Sequence, residues 1–144
     1  MTIRKSILMM SNTGTEWSRF CDPIQGNAFY GYTDAVTTVS VTMQNMVGGF
    51  GIQATLSLKP CPEDWFWITL NPNGNNTYPY LTYPRDPLYP TGANGGDTGT
   101  DAFTFMGNFV YLRAVMTRVY IQPPVTPQWS TWIWGQIDNV KISL

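Results

Sequence analysis

Catalytic chemistry at neutral pH usually starts from a histidine, a paired carboxylate or an activated thiol, and each can be checked in this chain. It has no His at all, which removes the commonest general base, the Ser-His-Asp and Cys-His arrangements, and imidazole metal sites. Glu63 and Asp64 are adjacent, so on a strand start their side chains diverge. Asp97 and Asp101 flank a Gly-containing turn. Glycoside hydrolysis needs two carboxyls about 5–10 Å apart across a sugar, one of them made more basic by burial. With only two Glu in the chain, these carboxylates read as solvated turn and edge groups. No enzyme is expected.

Hard oxygen ligands for calcium could come from Asn71, Asn73, Asn75 and Asn76, or from Asp97 with Asp101. Turns ask for the same Asn, Asp and Gly residues, and Asp97–Asp101 has neither the length nor the acid count of an EF-hand loop. Cys21 and Cys61 cannot build a zinc site without His. They are expected to be two free, partly buried thiols. Neither a metal nor a cofactor is expected.

The remaining chemistry-bearing residues are aromatic: six Trp, eight Tyr and seven Phe. They can pack in a core, form a protein–protein interface, where Trp and Tyr dominate binding energy, or stack on sugar rings. Trp65, Phe66 and Trp67 cannot all face one way on a strand, so at least one is core and another points outward. Charged residues supply only 12% of the chain and the formal net charge is −1. Nucleic acid and anionic membranes call for clustered Lys and Arg, so neither is an expected partner.

The elements that position these residues are strands. Thr, Val, Ile and the aromatics make up 57 of 144 residues, whereas Ala, Leu, Glu and Lys supply 19. Branched and aromatic side chains suit a pleated surface, and the second group suits helices. Val39, Val41 and Met43 alternate with Ser40, Thr42 and Gln44. Beyond Gly48-Gly49, Ile52, Ala54, Leu56 and Leu58 alternate with Gln53, Thr55 and Ser57. These two runs read as an antiparallel hairpin with both apolar faces inward. Further strands are expected over Ser6–Ser11, Thr15–Phe20, Asp64–Leu70, Ala102–Gly107, Asn108–Ile121 and Gly135–Leu144, with no helix. The 108–121 strand is apolar on both faces and should be central. About eight strands with turn-rich joints predict one domain over residues 1–144, a two-sheet antiparallel β-sandwich of jelly-roll type. No run of 18 apolar residues spans a membrane, and the start lacks the apolar core of a signal peptide. The expected product is made in the cytoplasm and not exported by that route.

Residues Asn71 to Thr100 break the pattern with five Pro and three Tyr-Pro steps. An irregular stretch of that length in a compact domain is a functional excursion more often than a routine connection. Its apolar first half is expected to be a contact arm, with Tyr78, Tyr80, Tyr83 and Tyr89 packed on a neighbouring subunit or on their own sheet. Gly92–Thr100 is expected to be the mobile half. Deletion of Thr77–Thr91 is then expected to leave a folded monomer. A second excursion, Gln122 to Trp134, carries Trp129 and Trp132, which complete the expected interface set.

Two regions carry a resemblance. They read Asp34-x-Val-Thr-x-Val39, Gln44-Asn-Met-Val-Gly-Gly49, Ile52-Gln-Ala-Thr-Leu56, Pro62-x-Asp-Trp-Phe66, and Phe103-x-Phe-x-Gly-Asn-Phe-Val-x-Leu-Arg-Ala114. This skeleton resembles small β-sandwich domains in virion structural proteins of tailed bacteriophages, most familiar from phages of marine cyanobacteria. It covers about a third of the chain and consists of scaffold residues. The resemblance implies a non-enzymatic virion part, a head decoration or a tail, neck or baseplate accessory. Its partners would be other virion proteins and symmetry copies of itself. The galactose-binding-like strand plan of such domains keeps a second expectation open, a carbohydrate-binding module for host-surface glycan.

Overall fold

A computed structural model describes residues 6–13, 18–31, 36–70, 80–83, 89, 91–92, 96–118 and 135–144. In chain order the elements are β1 (Ser6–Ser11), β2 (Ser18–Phe20), β3 (Ile24–Gln25), α1 (Asn27–Tyr30), β4 (Val36–Met46) and β5 (Gly48–Thr55). A 3-10 turn (Pro62–Asp64) follows, then β6 (Phe66–Ile68), β7 (Leu81–Tyr83), β8 (Asp97–Met106), β9 (Tyr111–Thr117) and β10 (Gln136–Ser143). One sheet runs β1-β10-β4-β8, and the other β2-β9-β5-β6, with β3 added to β9 and β7 to β5. All pairings among the described residues are antiparallel. First strand pairs with last (β1–β10), then β2–β9, β4–β8 and β5–β6. Such nested pairing is one long hairpin rolled into two facing sheets. The protein is an all-β jelly-roll sandwich.

Alternation places the core. Val39, Val41, Met43 and Met46 of β4, with Ile137, Val140 and Ile142 of β10, meet Phe50, Ile52 and Ala54 of β5 and Leu112, Ala114 and Met116 of β9. All of these are fully or nearly fully buried. Each contributes roughly 1–3 kcal/mol by removal from water, less for the alanines. The expected centrality of the 108–121 strand is seen over β9, which has neighbours on both sides and a buried Val115 on its second face.

The hairpin expected between β4 and β5 does not form. Only Val47 separates them, and they enter different sheets. An alternating pattern says which face a strand buries, but a strand facing its neighbour across the core satisfies it as well as one beside it. Gly48, with φ 155°, makes the crossing; a Cβ there would lie 2.7 Å from the Met46 methyl and 3.0 Å from Arg118 Cγ. Leu56 and Leu58, expected inside, are exposed. β5 stops at Thr55, whose hydroxyl accepts from the Ser57 N–H at 3.1 Å, and Ser57 then accepts from Lys59 at 3.2 Å. These local bonds compete with the ladder and end the strand.

Two further expectations are corrected. Asp97–Thr100, placed in a mobile segment, belongs to β8 and pairs with β4. Around it the Gly92 N–H donates to Gly96 O at 2.8 Å, and the Thr98 N–H to Thr91 Oγ1 at 2.9 Å. A one-turn helix, α1, also occurs, closed by Gly31 in the left-handed region at φ 71°.

Candidate functional site: the outer face of the β9-β5-β6 sheet

Side chains alternate, so the strands that bury Ile52, Ala54, Leu112 and Ala114 must turn Gln53 and Arg113 to the other side. Register aligns them: Arg113 lies opposite Gln53, and Gln53 opposite Trp67, a row across three strands. Phe20 of β2 stands opposite Val115 on the same face. Trp65, two residues before Trp67, completes the set.

Contacts within this row are specific. The Arg113 Nε–H donates to Gln53 Oε1 at 2.8 Å. The guanidinium carbon sits 4.3 Å from the centre of a Trp65 ring and 4.8 Å from that of Phe20. Cation–π contacts of this kind contribute about 0.5–2 kcal/mol each and hold the guanidinium plane in place. Partial burial lowers the Arg113 pKa from the usual guanidinium range, and the nearby Cys21 sulfur raises it by less. The side chain remains a cation at neutral pH. Beside it Trp67 and Tyr80 pack with centroids 5.3 Å apart and ring planes tilted by 51°. Both cover Gly51, where a Cβ would lie 2.7 Å from the Trp67 ring and 2.8 Å from Tyr80 Cβ. Glycine there is a clearance for two rings.

The residues singled out in sequence fall in different places. Tyr80 packs on its own sheet over Gly49 and Gly51. Tyr83 is 1% exposed, points into the core and donates its hydroxyl to Asp101 Oδ2 at 3.0 Å. Tyr89 is 76% exposed. Tyr78, Trp129 and Trp132 lie outside the described residues, as do Asn71, Asn73, Asn75 and Asn76. The structure brings Tyr80 next to Trp67, but it does not gather Tyr80, Tyr83 and Tyr89 on one surface.

The carboxylates have structural partners. Asp64 Oδ2 accepts from the Cys61 N–H at 2.7 Å, closing the 3-10 turn. Asp97 accepts from the Thr91 N–H at 3.2 Å, and Asp101 from Tyr83. Asp97 and Asp101 line one cleft of about 280 Å³ with Tyr83, Thr91 and Thr98. Among the described residues no three acidic or sulfur side chains converge as metal ligands. Both cysteines are free, and Cys61 is exposed where partial burial was expected.

A larger groove, about 430 Å³, opens where the edges of the two sheets meet. Leu8 to Ser11 of β1 form one wall and Arg19 to Ile24 the other. Arg19 ties the walls together by donating to Ser11 O at 2.8 Å. Leu8 and Phe20 on its rim are 57% and 55% exposed.

Comparison with protein-family models, with curated proteins and with solved structures finds no match.

Sequence reasoning missed the Arg113–Gln53 row. The available signal was Arg113 in a largely apolar strand, and the Trp65–Trp67 spacing, which puts both rings on one face. Cross-strand register, which sequence does not state, assembled the rest.

Proposed function

We propose that the chain is a non-enzymatic structural subunit of a tailed-phage particle, acting through protein–protein contacts. The carrying observation is the groove at the sheet edges, with Leu8 and Phe20 exposed on its rim. An open sheet edge beside a groove with two large apolar side chains on its rim supports a contact surface for a neighbour. The resemblance of the Asp34–Phe66 and Phe103–Ala114 segments supports the particle as the place. The jelly roll, an architecture common among viral capsid and lectin domains, supports it by fold analogy alone. Mass spectrometry of purified particles is expected to find the protein at a fixed copy number, located by a particle map. Recovery only from infected-cell lysate would reject the reading.

A second reading, a carbohydrate-binding module, is favoured by a separate observation. Trp65, Trp67 and Phe20 share the outer face of one sheet with the polar Arg113 and Gln53, Tyr80 being buried beside Trp67. Aromatic rings beside fixed hydrogen-bonding groups are what a sugar ring requires. Calorimetric titration with oligosaccharides separates the two readings.

A further inference from the structure

The chemistry of the Arg113–Gln53 pair restricts what this face can hold. An Nε–H can only donate, so the oxygen of the Gln53 amide must be the atom turned toward Arg113. That leaves the Gln53 NH₂ and the two terminal guanidinium nitrogens, which make no hydrogen bond or ion pair with any described residue. The centre of the face is therefore all donor. Of the outward positions on β2, β5, β6 and β9, Arg113 is the sole charged one, so no carboxylate of these strands neutralises it. Trp65 and Phe20 both pack against the guanidinium, which prepares it for two-point contact with a planar anion.

We infer that the Arg113–Gln53 centre of this face is a recognition site for a carboxylate-bearing saccharide, such as a uronate or sialic acid. This rests on the carbohydrate-binding reading and names its ligand class. The carboxylate meets the terminal nitrogens of Arg113, ring or hydroxyl oxygens accept from Gln53, and Trp65 or Trp67 packs against C–H groups of the sugar. A peptide carboxylate is the competing occupant. Peptides bind sheets mainly by adding to an edge ladder, and here β9 and β5 are interior strands whose backbones are already paired on both sides. The face offers side chains only, which suits a rigid ring better than an extended chain.

The test titrates the intact protein with sialyllactose, trigalacturonate and lactose, followed by NMR of the Trp indole and Gln53 amide signals. An acidic sugar is expected to shift the Trp65 and Gln53 signals and to bind at least tenfold more tightly than lactose. Arg113→Lys, which keeps the charge and loses the fork, is expected to weaken it tenfold or more. Gln53→Glu, which places an anion at the centre, is expected to do the same. Circular dichroism confirms that each variant is folded. Equal binding of lactose would overturn the acidic-ligand inference and leave the carbohydrate reading standing. Absence of binding by all three sugars would overturn both. Acidic-sugar binding unchanged in both variants would place the site elsewhere and overturn the inference. A polyglutamate peptide bound as tightly as the acidic sugars would overturn the saccharide assignment.

Discussion

Tyr83 shows how a single side chain changes meaning between sequence and structure. Among Tyr-Pro steps it looks like a contact residue, yet it fills the core and donates to Asp101. Tyr83→Phe is expected to cost about 0.5–1.5 kcal/mol for the lost bond, and Tyr83→Ala about 3–5 kcal/mol, as for other buried aromatics. Chemical denaturation measures both. The two thiols are also separable. Burial raises the Cys21 pKa above the ordinary thiol value, and Asp22 adds to the rise; the Ala114 N–H, donating to its sulfur at 3.0 Å, and Arg113 oppose it. Cys61 is exposed, so at mildly alkaline pH it is expected to be alkylated well before Cys21, as peptide mapping would show. The sign for stability follows. A folded-state pKa above the unfolded one means the unfolded chain loses the proton first. Stability from Cys21 is complete below the ordinary thiol pKa and is lost as pH rises from there through the raised folded value. Cys21→Ser is expected to flatten that alkaline decline.

At the scale of elements, β7 decides the fate of the Tyr-Pro excursion. Leu81–Tyr83 pairs with Gly48–Phe50 and places two nearly inaccessible side chains in the core. Deleting Thr77–Thr91 would remove that strand, Tyr80 over the glycines, and the Thr91 contacts to Asp97. At roughly 1.5–3 kcal/mol for each large buried side chain, the loss rivals a typical domain stability of about 5–15 kcal/mol. The deletion is therefore expected to give an unfolded or strongly destabilised chain by circular dichroism, against the folded monomer the sequence suggested. The strands themselves are legible where alternation is clean: β1 coincides with the expected Ser6–Ser11, and Val39, Val41 and Met43 share the buried face. What alternation could not convey was the partner of each strand. The β4–β5 crossing, the β8 extension through Asp97–Thr100 and the Arg113–Gln53–Trp67 row all depend on register between distant segments. Asp97 and Gly99 disfavour strands and interrupt the signal of Thr98 and Thr100, so the pairing of 97–100 is hidden until β4 lies beside it.

For the molecule as a whole, nested pairing means that sheet order is set by the longest sequence separations. β10 lies between β1 and β4, so the β1-β10-β4-β8 sheet closes only when opposite ends of the chain meet. Refolding in stopped flow is expected on the millisecond-to-second scale typical of such topologies, and slower than for helical chains of this size. The same pairing has a mechanical outcome. Ser6 sits opposite Ser143 at one edge of the sandwich, so β1 starts where β10 stops. Tension applied between the two ends would not shear β1 against β10. It would peel them apart from Ser6 and Ser143 inward, breaking one hydrogen-bonded pair at a time, with no stage at which many bonds share the force. A load carried through the ends would open this sandwich like a zip, whereas a load spread over its faces would meet the whole core.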